Sequence, residues 1–533
     1  MGKPHKKLGV PDDLQFQLFG GVPERLDEPR LRTAVESGRR FISGDPHHIF
    51  LGTTRLQDYL RQSGQTDPFE IATLLDAQDW REFEARYAHT GRAPYCPRLM
   101  LGLILYGVMQ GVHSLRELER LSRLDLGCMW ITGGIAPDHA NIGRFIVLHE
   151  ESLTTSFFES LTRAMLKKTG STSATLAGDG TVIEAACSHY RKLKAEAIRE
   201  RAQEADAAIK KDPDDPGARQ NKADSERLLK VLEEREKSRK RSGRSLDSLV
   251  ISETEPEAMV QPAKRGRGTA ASYKPSILAN ADRFITALAL DPSSETKVVE
   301  VMLDQSLRVT GAHPNEILLD AGYFDNGVIA VTLERDISLL CPDGKQPGQV
   351  KHGKVYPKSK FTYDELSDTY RCPAGQLLER LKDKMATPSK EAHRIYGTNV
   401  CGDCPQRSVC VGTKKSRRID RFATDYYRDT LRAVMEQPQV KPVFGKRQAM
   451  VEPVFSHLRG KQGLNRFRRM GLDAIKREFA LHAIAHNISR ALALLRAIFC
   501  LIRAIRGSIG SLRGQIADWL DAKRAALPQL ATG

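Results

Sequence analysis

The stretch "EILLDAGY" (Glu316–Tyr323) decides how the chain is read, because an apolar run, Ile317–Leu319, ends on a carboxylate, Asp320. A charged group at the C-terminal end of a buried strand is costly unless it is paired or binds a metal. It is also where open α/β sheets present their reactive groups. "HPNE" (His313–Glu316) reads as the turn leading into it. Around it, "FITALAL" (Phe284–Leu290), "KVVEVML" (Lys297–Leu303) and "ISLLCP" (Ile337–Pro342) carry strand signals, and "DQSLRVTG" (Asp304–Gly311) reads as a helix. The alternation predicts an α/β fold with some parallel pairing. Upstream, "SATLAGDGTVIEAA" (Ser173–Ala186) predicts another strand, which carries Asp179 between two glycines that let a neighbour approach closely.

The rest of the chain divides around this core. Residues 1–66 form an N-terminal extension. Residues 67–170 have apolar side chains at helical spacing, with a break at Gly111 and a C-cap at Gly170. A helical domain ahead of a catalytic core suits DNA binding, and a purely structural role stays open. The core is expected over 171–500, with a charged helical hairpin at about 191–250 turning at "DPDDPG" (Asp212–Gly217) and a Cys-containing insertion at about 343–425. A Ser- and Pro-containing linker is expected to about Ser272, and 501–533 reads as a basic helical tail.

The chain has 533 residues, 59.4 kDa, a net charge of +16 and a pI near 9.4, which favours a polyanionic partner. The charge is concentrated: residues 441–533 hold 17 Lys and Arg against 5 Asp and Glu, a balance of +12. "ALALLRAIFCLIRAI" (Ala491–Ile505) is interrupted by Arg496 and Arg503 and is too short to span a bilayer. With no secretory-type apolar start and nine cysteines, a reduced, cytoplasmic protein is expected.

Within "KPVFGKRQAMVEPVFSHLRGKQGLNRFRRM" (Lys441–Met470) a single acid, Glu452, lies among eight Lys and Arg. Pro453 suits a first helical position, so Glu452 is expected at a helix start, with Arg459 two turns on along the same face and Phe455 between them. A local salt bridge would explain Glu452 alone. It would not explain the exclusion of every other acid. A carboxylate holding a metal against a phosphate backbone would. Arg447, Arg459, Lys461, Arg466, Arg468 and Arg469 are then the candidate DNA contacts.

Asp179 in "GDGTVIEA", Asp320 in "LLDAGYF" and Glu452 in the basic block, in that order, resemble the DDE transposases of bacterial insertion sequences. Within them the chain is similar to the branch with a Tyr-Arg-Glu-Lys signature around the last acid. Phe444 stands at the Tyr position, Arg447 at the Arg, Glu452 at the Glu and Arg459 at the Lys. The aromatic lacks a hydroxyl, one extra residue separates Arg447 from Glu452, and Arg replaces Lys. The resemblance runs from about Asp67 to Arg490. It implies an RNase H-like mixed sheet whose catalytic acids, Asp179, Asp320 and Glu452, bind two Mg²⁺ (or Mn²⁺) ions roughly 4 Å apart. It implies metal-dependent phosphoryl transfer: water frees a 3′-OH at the element end, and that hydroxyl then attacks target DNA. The implied partners are double-stranded DNA, as terminal inverted repeats and target, and a second copy of the chain in a synaptic complex at the bacterial nucleoid. A nuclease on the same fold, or a catalytically inactive DNA-binding descendant, are the competing readings.

Cys372, Cys401, Cys404 and Cys410 have spacing compatible with a tetrahedral zinc site, with Cys341 as an alternative ligand and four reduced thiols in a loop as the other reading. His482 and His486 lie one helical turn apart in an apolar setting that suits packed core histidines. Glu184 is an accessory candidate near Asp179, and "TEPEAM" (Thr254–Met259) receives no role.

Overall fold

In a computed structural model, the chain is described over residues 31–33 and 40–526, apart from 89, 189, 242, 263–267, 293, 345–354, 388–390 and 413. Most of the expected N-terminal extension and the last residues of the tail therefore lie outside the described residues.

The strand carrying Asp179, β1 (Thr175–Gly180), is central. Next to it along the chain is the short β2 (Ile183–Glu184). Two antiparallel helices come after it, α3 (Ala195–Lys211) and α4 (Pro216–Arg241), which turn at the Asp- and Pro-rich segment; α1 (Pro97–Met109) and α2 (Ser156–Thr169) precede them in the helical region. Gly111 and Gly170 have φ of +78° and +68°, and each ends a helix there. The expected linker contains strands instead. Thus β3 (Met259–Pro262) and β4 (Thr269–Tyr273) pair antiparallel, and β4 also pairs with β2. Apolar and polar residues alternate too little there for the pattern to show.

The main sheet adds β5 (Pro275–Asn280), β6 (Ile285–Leu290), β7 (Glu316–Leu318) and β8 (Ser338–Leu340), in the order β6-β5-β1-β7-β8. The first three strands are antiparallel, whereas β1, β7 and β8 are parallel, so the sheet is mixed. Parallel pairing sets Leu318 opposite Ala177. Continuing that register by two residues brings Asp320 level with Asp179.

"KVVEVML" is not a strand. A 3-10 turn at Thr296–Val298 leads into α5 (Val299–Thr310). Val299, Met302, Leu303, Ser306 and Val309 are buried at helical spacing while Val301 is 58% exposed. A short apolar run fits either period, and here packing against the sheet selects the helix.

Beyond the sheet come α6 (Asp425–Glu436), α7 (Val440–Gly460) and α8 (Leu472–Ala526). Glu452 is not at a helix start: α7 begins twelve residues earlier and Pro453 lies inside it. A proline there removes the bond that the Ala449 carbonyl would accept. Arg283 Nε donates to that carbonyl instead, at 3.2 Å. One continuous core joins the helical region, one sheet face, α7 and the first half of α8, while α5 closes the other face. A separate five-stranded antiparallel sheet runs through β9 (Thr362–Asp364), β10 (Thr369–Arg371), β11 (Leu377–Lys384), β12 (His393–Gly397) and β13 (Arg418–Phe422), with its own small core.

Candidate active site

The C-terminal ends of β1 and β7 bring two carboxylates to one edge of the sheet. Asp179 accepts from the Gly180 N–H at 2.8 Å, and Asp320 caps the adjoining 3-10 turn by accepting from the Gly322 N–H at 2.9 Å. Across both lies Arg447 of α7, whose Nη2 is 3.2 Å from Asp179 Oδ1 and 3.8 Å from Asp320 Oδ2. The Arg447 side chain is 14% exposed, and its Nε is buried with no hydrogen-bond partner among the described residues. Such an orphaned buried donor is costly, and its chemistry suits an anionic oxygen.

A third acid, absent from the sequence reading, stands beside this pair. Glu295 is ion-paired to Lys274. A Cβ placed on Gly180 would collide with Glu295 Oε1, and one on Gly322 would come within 3.3 Å of Glu295 Oε2 and 3.0 Å of Asp320 Oδ1. These glycines are what let three acids approach. Burial pushes the Asp179 carboxyl above its usual range; Arg447 opposes this and the Asp320 charge adds to it. Burial likewise raises Glu295, with Lys274 opposing. Neither Glu295 nor Lys274 carried a sequence signal: Lys274 separates β4 from β5 and Glu295 precedes the 3-10 turn at Thr296–Val298, segments that only the fold brings to Asp179.

Glu452 is exposed and accepts from Gln448 Nε2 at 2.7 Å. Five residues separate it from Arg447, about 140° around the helix, so the two side chains leave α7 in different directions. The structure thus joins Asp179 and Asp320 with Arg447, Glu295 and Lys274, and leaves Glu452 with Gln448. Among the described residues no three His, Cys, Asp or Glu side chains form a ready-made metal cage.

The candidate DNA contacts divide similarly. Arg459 donates to Thr181 Oγ1 and, at 3.0 Å, to the Val182 carbonyl. Arg466 donates to the carbonyls of Ala185 and Cys187 at 3.0 and 2.6 Å. Arg459 thereby ties the segment after Asp179 to α7, and Arg466 ties it to the loop between α7 and α8. The backbone N–H groups of Arg468 and Arg469 donate to Glu478, and burial lowers the Arg469 pKa. The Lys461 and Arg468 side chains are exposed. Glu184 bridges to Arg466 through the backbone.

Cys372, Cys401, Cys404 and Cys410 line one cavity of about 20 Å³ in the second sheet's core. Cys341 does not belong with them: it lies in the main core, and its thiol donates to the Asp320 carbonyl at 3.0 Å. His482 and His486 are buried, 3% and 1% exposed, as expected of core histidines.

Residues 371–492 match the family model described as Transposase DDE domain, and residues 61–148 match that described as Transposase domain (DUF772). No curated protein and no solved structure matches the chain. Two transposase matches in one chain support a transposase, a class that implies DNA as partner. More narrowly, they support a DDE transposase of an insertion sequence. The DDE match contains Glu452, the four clustered cysteines and every candidate DNA cation, whereas Asp179 and Asp320 lie outside both matched segments. No helix among the described residues is long and apolar enough to cross a membrane.

Proposed function

We propose that the chain cuts DNA at the ends of its own mobile element and joins the freed 3′-OH to target DNA, with Asp179, Asp320 and Glu452 as the catalytic acids. The observation that carries this reading is the parallel register that sets Asp179 and Asp320 level at the sheet edge, bridged by one cation, Arg447. The strand order, with three antiparallel strands and then two parallel ones, supports an RNase H-like core.

The donor set fits divalent magnesium or manganese: hard carboxylate oxygens, partly desolvated, whose mutual repulsion is at present relieved by a guanidinium. Asp179, Asp320 and Glu452 would hold the ions, which supply activation of the attacking oxygen and stabilisation of the leaving one at phosphorus. Glu452 would leave Gln448 to join the two aspartates. The Arg447 Nε–H is a donor for a phosphate oxygen, and Lys461, Arg466, Arg468 and Arg469 extend a basic track for the DNA backbone alongside Arg459. The helical region at 67–170 is a DNA-binding domain in this reading. Two copies would hold two element ends, as expected of a nucleoid-associated, cytoplasmic enzyme. The four cysteines around one cavity are proposed to bind a structural zinc ion.

The test is a supercoiled plasmid carrying the gene's native flanks, incubated with purified protein and Mg²⁺. Cleavage at fixed flank positions with joined products is expected, falling at least about a thousandfold in Asp179→Asn, Asp320→Asn and Glu452→Gln. Scattered nicking without joining would instead identify a nuclease. Binding without cleavage by folded wild type would identify an inactive descendant.

A further inference from the structure

The second half of α8 exposes a regular apolar seam, and its sequence specifies what would cover it. The helix is anchored in the core as far as Leu492, 4% exposed, and Arg496 ion-pairs with Asp67 at the edge of the helical region. Beyond this point its large apolar side chains are exposed. Ile498, Ile502, Ile505, Ile509, Leu512, Ile516 and Trp519 are each 39–59% exposed. Their spacing is four, three, four, three, four, three, a strict 3.5-residue period. A helix lying on a flat core or a lipid surface keeps a stripe at 3.6 residues per turn, whereas a sustained 3.5 period is the signature of helices wound about each other; Phe499, Leu501 and Leu520, also exposed, widen this seam at its two ends. Ile502, Ile509 and Ile516 take the a positions, and Ile498, Ile505, Leu512 and Trp519 take d.

We propose that this seam pairs with the same seam of a second copy of the chain, as a parallel two-stranded coiled coil. Charge selects the orientation. The flanking e positions hold Phe499, Arg506, Arg513 and Leu520, and the g positions hold Leu501, Ser508 and Gln515. Parallel strands set g against e of the partner, so each arginine meets Leu501 or Ser508. Antiparallel strands set e against e, which would bring arginines together. The area is sufficient: the seven seam residues expose on the order of 700 Å² per chain, close to the roughly 800 Å² per partner of a stable interface. Gly507 and Gly514, on the outer face, each cost the helix about 1 kcal/mol relative to alanine. The helix therefore needs a partner to persist so far beyond the body. Parallel pairing would also place two catalytic units at the same end of the stalk.

The inference does not depend on the chemistry proposed above, and its test uses no DNA. In sedimentation equilibrium the full chain is expected to be a dimer. Ile505→Glu/Ile509→Glu, at exposed positions that leave the core untouched, is expected to be a monomer with unchanged far-ultraviolet circular dichroism outside the loss of this one segment. In a Cys500→Ser background, Ile509→Cys is expected to give an interchain disulfide, because equivalent a positions face each other only in the parallel arrangement. A monomeric wild type, including one that instead sediments with anionic lipid vesicles, overturns the proposal. So does an assembly of more than two copies, a dimer that the Glu variant leaves intact, or absence of the disulfide under oxidation.

Discussion

Arg447 couples the two aspartates of the site. Its guanidinium bridges Asp179 and Asp320, and removing it leaves two partly buried carboxylates facing each other. Arg447→Ala is expected to lower stability by about 2 kcal/mol in EDTA, between the values for exposed and fully buried pairs. Mg²⁺ should then raise the melting temperature of the variant more than that of wild type, because no guanidinium competes for the oxygens. Equal responses to Mg²⁺ in thermal melts would show that Arg447 and the cation do not share a site. The aspartates were legible in the sequence because glycines and the end of an apolar run mark them. Glu295 and Lys274 were not, because they enter the site through contacts between segments distant in the chain. The position of Glu452 on a helix was legible, but its place along that helix was not. A proline usually marks a first turn, whereas here it lies in mid-helix and Arg283 donates to the Ala449 carbonyl it leaves free.

Among the elements, β1, β6, β7 and β8 could be anticipated from short β-branched runs. Two others could not. "PSILAN" opens on proline and is buried at every position, so it offers no alternation, yet it forms β5 between β1 and β6. "KVVEVML" has the composition of a strand, and its helical period appears only when it is read on through Thr310. The second sheet, β9 to β13, has a small core of its own, which the four cysteines border and where the zinc ion is proposed. Purified full chain is expected to carry one zinc ion per copy by elemental analysis. Cys401→Ser/Cys404→Ser should lose it, with hydrogen exchange accelerating in β10 to β13 and unchanged in β1, β5 and β7. Protein free of zinc in which all four thiols react as ordinary cysteines would exclude the staple.

At the scale of the whole molecule, the shared core runs from the helical region through the sheet to α8, and buried histidines pin its centre. The His482 Nδ1 lies 2.9 Å from the Gln462 side-chain amide, and its ring is 5.6 Å from that of His113. The His486 nitrogens lie 3.0 Å from His457 Nδ1 and 2.9 Å from the Arg283 carbonyl. Burial pushes both pKa values from 6.5 down to about 3, reinforced for His482 by His113 and Arg468 and for His486 by His457, Arg490 and the Arg283 charge, with the hydrogen bond to the Arg283 carbonyl opposing. These folded-state values are depressed for a base, so the unfolded chain binds protons that the folded chain does not. The stability is present above pH 6.5 and is lost as pH falls towards 3, by up to about 1.4 kcal/mol per pH unit for each histidine. Urea midpoints should therefore fall between pH 7 and pH 5, with a shallower slope in His482→Gln. A midpoint independent of pH would show that these rings are not held neutral. The basic surplus of residues 441–533 was plain in the sequence. Its partition was not, since Arg447, Arg459 and Arg466 also bind groups within the protein.

In the proposed reaction Glu452 acts at one metal site with Asp179 and Asp320, although its carboxylate accepts from Gln448. Iron(II)-directed backbone cleavage tests it most directly. Fe²⁺ replaces Mg²⁺, ascorbate and peroxide generate hydroxyl radicals at the bound ion, and the cut positions are mapped with element-end DNA bound. Cuts clustering at residues near 179, 320 and 452, all suppressed by excess Mg²⁺, are the predicted result. Cuts near 179, 320 and 295 that leave the segment around 452 intact would contradict it, and would assign the third carboxylate to Glu295.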